Sequence, residues 1–248
     1  WISPECVRNL GAGPALGALL SADALTRYKA SRKTRKYSKG QPRDVVPQPG
    51  RAGDRSGTAP QPTMPGMGTL YLVRHGQASF GAEDYDELSP LGRQQCERLG
   101  RWFAARPIRF AGVLTGTLKR HRQSLAAIEQ GFEQALAGQA LPGLNEYDSE
   151  AVVRAVHPAP LQRPSSPDEV RQHFRLLRHG LLAWMGGSTQ PAGMPSFDRF
   201  RADVQAALDQ VRSQYADASS LIVSSGGPIS TAIGLVLGLD AEAIVELN

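Results

Sequence analysis

Cysteine is nearly absent. The 248-residue chain has two, Cys6 and Cys96, in regions of very different character. That argues against a disulfide framework and against a cysteine-based zinc site, and makes a reducing, cytoplasmic setting the expectation. Long apolar runs are also missing: no stretch reaches the roughly 18 residues of a membrane helix, so no membrane partner is expected. The sequence holds no metal-ligand cluster and no internal repeat, and neither metal nor cofactor is expected.

Charge of one sign is scarce where it would matter. The net charge of +5 comes from the leader: residues 1–63 hold 11 Lys/Arg against 4 Asp/Glu. The remainder keeps 17 of the 28 basic and 19 of the 23 acidic residues, a balance of −2. A nucleic-acid footprint on the folded part is therefore not supported. Residues 1–66 read as a leader that cannot bury enough apolar surface to offset its ordering entropy. A Gly/Ala-rich stretch over Leu10–Leu20 is followed by a basic run over Arg27–Lys39 and by Pro/Gly-rich residues to Gly66. Targeting or a basic arm for acidic partners would suit this composition. The expectation is a disordered segment outside the working protein, with Met64 or Met67 a natural start.

What is present from residue 67 is an alternation of strand and helix. Short strands are expected over 69–74, 111–115 and 220–224. Helices are expected from Pro90 (N-cap Ser89) to before Pro107, over 118–136 and 150–157, over 167–185 with Ser166 as cap, over 196–215, and after Gly227, with Pro228 in the first turn, to about Leu237. Leu91, Gln95, Leu99, Trp102 and Phe103 mark the buried face of the first helix. Val170, Phe174, Leu177, Leu181 and Leu182 mark that of the helix over 167–185. Cys96 reads as an inert core thiol. Strands alternating with helices imply a three-layer α/β/α sandwich around a mostly parallel sheet, in which ligands bind beyond the carboxyl ends of the strands.

Three polar motifs sit at those ends. The apolar strand Leu70–Val73 runs into Arg74-His75-Gly76; Ala111–Leu114 runs into Thr115-Gly-Thr-Leu-Lys-Arg120-His-Arg-Gln-Ser124; Leu221–Val223 runs into Ser224-Ser225-Gly226-Gly227-Pro228. A guanidinium holds a phosphate by two hydrogen bonds at once, and a neutral imidazole is a competent nucleophile near neutral pH. Gripping and attacking a phosphoryl group is the task that Arg74 and His75 suit together. Arg120 stands in the first turn of a helix, where the dipole favours an anion.

In these stretches the chain resembles the histidine phosphatase superfamily, also called phosphoglycerate-mutase-like. The first matches its Arg-His-Gly motif and the second its Leu-x-Arg-x-x-Gln-Thr/Ser motif. The third resembles its Ser-His-Gly-Gly motif, with Ser225 where the second histidine would stand. The resemblance implies the α/β/α fold over 67–248 and a phosphohistidine formed on His75, with Arg74 and Arg120 as phosphate clamps. Leu144-Asn-Glu146 fits the family's Leu-x-Glu pattern, so Glu146 is the implied general acid, with Asp148 a close rival and the acids at 83–87 weaker ones. Ser225 and the amides of Gly226 and Gly227 would complete the phosphate site. Loss of one positioned donor costs about 10²–10³ in rate, so the expectation is a slow phosphatase or a phosphate-binding relative without turnover. Under the first, Ser225→His should raise the rate. His121 and His157 are the histidines that could move in, yet both read as surface residues, as do His173 and His179. A mutase-type phosphotransferase is disfavoured, because Ala78–Tyr85 lacks the asparagine-rich and Gly-Trp-x-Asp patterns that mutases resembling this family carry. The implied partner is a small phosphorylated metabolite. Family members continue past this point with further strands, so a shortened C-terminus with an unpaired sheet edge is expected.

Overall fold

The computed structural model describes residues 18–21, 68–79, 86–159 and 166–248. The rest of the leader, the acids Glu83 and Asp84 and the proline-rich residues 160–165 lie outside them. Five strands form one sheet in the order β1-β2-β5-β3-β4: β1 (Ala18–Ser21), β2 (Thr69–Arg74), β3 (Phe110–Thr115), β4 (Gln139–Ala140) and β5 (Ser219–Ser224). β1 lies antiparallel on the outer edge of β2, and the other pairings are parallel. The sequence signals neither β1 nor the two-residue β4.

The period of two along each central strand divides the core into two layers. Leu72, Leu114 and Ile222 point to one face, where they meet Val152, Leu181, Trp184, Phe200, Val204 and Leu208. Val73, Val113, Leu221 and Val223 point to the other, against Phe103, Leu125, Ile128 and Phe132. Helices α1 (Pro90–Ala104) and α2 (Lys119–Phe132) cover the second face. The first is covered by α3 (Ser149–Val156), α4 (Pro167–Met185), α5 (Phe197–Gln214) and α6 (Gly226–Leu237), with α7 (Ala241–Leu247) beyond them. This is the three-layer α/β/α sandwich with a mostly parallel sheet. No helix among the described residues is long and apolar enough to cross a membrane.

Caps behave as their residue types require: Ser89, Ser166 and Ser196 accept from Gly92, Glu169 and Arg199 amides, and Asp148 caps α3. Burial departs from the periodicity at two places. Leu91 is exposed, and the face of α1 that is buried runs Gly92, Cys96, Gly100, Phe103. Counting large apolar residues misses it because small ones let α1 approach its neighbours. Val170 (39% exposed) and Phe174 (56%) stand outside the core, because only the carboxyl half of α4, at Gly180, Leu181 and Trp184, reaches it. α2 ends four residues earlier than expected, at Phe132, with Glu133 in the left-handed region at φ 58°. After Gly238 (φ 66°) the chain forms α7, which the sequence does not signal.

Candidate functional site

The carboxyl ends of β2, β5 and β3 are neighbours in the sheet, so the segments that follow them must converge. Past β2 the ladder continues one bond further, with the His75 amide donating to the Ser224 carbonyl at 2.9 Å. The chain then turns at Gly76, whose amide donates to Ser124 Oγ on α2 at 3.0 Å. A β-carbon at Gly76 would overlap the Gly92 carbonyl, and one at Gly92 would overlap the Gln77 backbone. The loop carrying His75 is thus pressed onto α1 with no room for a side chain at either contact.

His75 Nδ1 lies 2.7 Å from the Gly76 carbonyl oxygen. A carbonyl only accepts, so Nδ1 carries the proton and Nε2 keeps its lone pair. Burial lowers the pKa of this ring to about 4, and the charges of Arg120 and Arg74 act in the same direction against the Gly76 hydrogen bond and Asp86. The imidazole is therefore neutral at pH 7.

Arg120 is buried in the first turn of α2, and its Nη1 donates to Asp86 Oδ1 at 2.8 Å. The other Asp86 oxygen accepts from the Lys119 amide at 2.7 Å. The positive end of α2, expected to attract an anion, holds the Asp86 carboxylate. Gln123 Oε1 accepts from the Leu88 amide at 2.8 Å, so the glutamine and serine of the second motif hold the two loops that frame His75.

Glu146 is set by three ties. Ser224 Oγ donates to the Leu144 carbonyl at 2.6 Å. Asn145 accepts from the Thr117 amide and donates to Thr117 Oγ1, both at 2.7 Å. The Glu146 carboxyl then accepts from the Gly227 amide at 3.1 Å. Burial raises its pKa, opposed by the Gly227 and Tyr147 amides and by the charges of Arg74 and Arg120. Both arginines thus act on both His75 and Glu146. Arg74 itself is exposed, with Nη1 3.4 Å from the Asn248 carbonyl oxygen. The Gly227 amide, which the sequence offered to phosphate, is engaged by Glu146.

A family model of the histidine phosphatase superfamily (branch 1) matches residues 70–248. The chain belongs to this superfamily. No curated protein matches it. Among solved structures, Bacillus stearothermophilus YhfR is 19% identical with a TM-score of 0.51, over 71% of this chain and 83% of that one. The alpha-ribazole phosphatase of Shigella flexneri is 18% identical with a TM-score of 0.50, over 71% and 83%. The mycobacterial glucosyl-3-phosphoglycerate phosphatase complexed with VO3 is 19% identical with a TM-score of 0.50, over 71% and 84%. At these identities the likeness is one of fold.

Within this superfamily fold, the structure gathers His75, Arg74, Arg120, Glu146, Ser225 and Gly226 at one end of the sheet. Asp148, the rival acid, caps α3 instead. His157 is half-buried, with the C-cap of α3 as its place. His121 corrects the sequence reading: it is 0% exposed, not a surface histidine. Its Nε2 lies 2.6 Å from Ser225 Oγ, and its ring centroid lies 5.7 Å from that of His75. Burial lowers its pKa to about 3, with His75 and Arg120 adding to the shift. One sequence signal pointed this way: a histidine one residue after Arg120 accompanies a serine where the third motif would carry one. Asp86 had no such signal, being 34 residues from its partner. Among the described residues, no group of three or more His, Cys, Asp or Glu could hold a metal ion. Cys96 is buried, and burial raises its pKa, which suits an inert thiol.

Proposed function

We propose that this chain is a phosphomonoesterase whose nucleophile is His75. The Nε2 lone pair attacks the phosphorus of a small phosphorylated metabolite, the N–P bond forms and the ester P–O bond breaks. Arg74 and Arg120 neutralise the charge on the phosphoryl oxygens. Glu146, whose pKa burial raises, gives a proton to the leaving oxygen and then takes one from the water that cleaves the phosphohistidine. The observation that carries this reading is the Nδ1–H bond from His75 to Gly76, which leaves a neutral ring with its lone pair on Nε2. The names of two proteins of similar fold specify phosphatases of small phosphorylated compounds, α-ribazole phosphate and glucosyl-3-phosphoglycerate, and that substrate class suits the site.

Phosphate release across a panel of phosphorylated metabolites tests the proposal, with acid-labile, base-stable phosphate trapped on the protein. Release is expected from wild type and not from His75→Ala; equal release from both would refute it. A second reading, a phosphate-binding module without turnover, is favoured by the Asp86 carboxylate that already occupies Arg120. It expects stabilisation by phosphate or vanadate and no release.

A further inference from the structure

We propose that His121 is a positioning residue of this site: its Nε2–H holds the Ser225 hydroxyl so that the serine presents its own proton to a bound oxyanion. The inference rests on reading the end of the sheet around His75 as a phosphoryl site and assigns the part of that site that the third motif leaves short of an imidazole.

Ser225 follows Ser224, the register partner of Arg74 at the end of the β2–β5 ladder, and so lies directly beside the nucleophile's loop. It is the N-cap of α6, where a serine hydroxyl ordinarily accepts from an amide one turn on. Here the Ser225 side chain makes no such bond. Its Oγ instead lies 2.6 Å from His121 Nε2, and both side chains are 0% exposed.

The proton inventory then fixes the direction. Burial keeps the His121 ring neutral, so it has a single N–H. Nδ1 is buried and has no hydrogen-bond partner among the described residues. It lies against Gly116, where a β-carbon would overlap it. A proton on Nδ1 would be an orphaned buried donor, which folded proteins avoid more strictly than an under-used acceptor. The proton therefore resides on Nε2 and is donated to Ser225 Oγ. A hydroxyl that accepts from His121 keeps its own hydrogen for another acceptor. A phosphoryl oxygen held by Arg74 and Arg120 and facing His75 Nε2 is the acceptor chemistry this end of the sheet provides.

The sequence supports the same pairing. Glycine at 116 is the residue that leaves room for the ring, and serine at 225 leaves room for it to enter. The imidazole thus comes from α2 rather than from the β5–α6 turn, and reaches the anion through a hydroxyl.

The test uses the full chain, inorganic phosphate as probe and isothermal calorimetry as readout. His121→Leu keeps the volume and removes the donor; His121→Gln keeps an N–H near the same point. Ser225→Ala and His121→Leu are each expected to weaken phosphate binding about tenfold, the effect of losing one hydrogen bond to a charged group. The double variant should be no weaker than either single one, and His121→Gln should bind within about threefold of wild type. Ring ¹⁵N spectra should show His121 as the Nε2–H tautomer. Wild-type affinity in His121→Leu, additive losses in the double variant, an Nδ1–H tautomer, or no phosphate binding by wild type would each overturn the proposal. The phosphatase reading fails separately. If the pair controls phosphate binding while His75→Ala releases phosphate as wild type does, that reading falls and this inference stands. If wild type turns over and His121→Leu binds normally, the reverse holds.

Discussion

His121 should make the fold acid-sensitive, and by an amount that can be worked out. An unfolded histidine titrates near 6.5, whereas this one is held down to about 3 by burial first and then by His75 and Arg120. Between those values the unfolded chain binds a proton that the folded chain does not, so stability falls as pH falls. At pH 5 the unfolded imidazole is almost wholly protonated and the folded one almost wholly neutral, which costs the folded state about 2 kcal/mol relative to pH 8. Typical domains have about 5–15 kcal/mol in all. His75, lowered to about 4, adds a shift of the same sign. Glu146 acts oppositely: its raised pKa penalises the fold above the ordinary carboxyl range and relaxes as pH falls. A difference of differences isolates His121. Urea unfolding of wild type and His121→Gln at pH 8 and pH 5 gives two pH-dependent losses, and the variant's should be smaller by about 2 kcal/mol. Equal losses would refute the assignment of a buried neutral imidazole at this position.

Other perturbations follow from single contacts. Asp86→Ala removes the acceptor for the Lys119 amide and the partner of Arg120, so urea unfolding should lose about 1–2 kcal/mol; Asp86→Asn, which keeps an acceptor, should tighten phosphate binding at low salt by releasing Arg120. Gly92→Ala would ordinarily gain up to about 1 kcal/mol in a helix, yet its β-carbon would overlap the Gln77 backbone; thermal melting should show net destabilisation and calorimetry weaker phosphate binding. Ser225→His, expected from the sequence to raise the rate, places a second imidazole where His121 already lies; melting should show a loss of about 1–3 kcal/mol from overpacking, relieved when His121→Ala accompanies it.

Much of the fold was legible because it rests on local signals. The sequence anticipated the helix over 167–185 to the residue, since Ser166 and Pro167 mark one end and Gly186 the other. It anticipated the three central strands to within a residue, since each is an apolar run closed by a polar motif. Where large side chains were used as a proxy for burial, the reading failed. Gly92 and Gly100 are buried on α1 and Leu91 is not: close approach of the Gln77 loop at Gly92 and of α2 at Gly100 selects the absence of a side chain, which an apolar count cannot register.

The site was legible in its parts and not in its pairings, for a related reason. Arg74, His75 and Arg120 announce themselves by type and by position past a strand, and Glu146 by its fit to the family's Leu-x-Glu pattern. Asp86 and His121 act through partners 34 and 104 residues away, and nothing local distinguishes a carboxylate that caps α2 from one in solvent. Asp86 also changes what Arg120 can do. Its guanidinium donates to Asp86 through Nη1 before any phosphate arrives, so a phosphoryl dianion must compete with a carboxylate for it. The pairing keeps a buried charge compensated in the absence of ligand, which an unpaired Arg120 would not be. An anion here therefore meets an Arg120 whose charge is already offset by Asp86. The neutral Ser225–His121 pair adds a donor without adding a charge that Asp86 would have to offset.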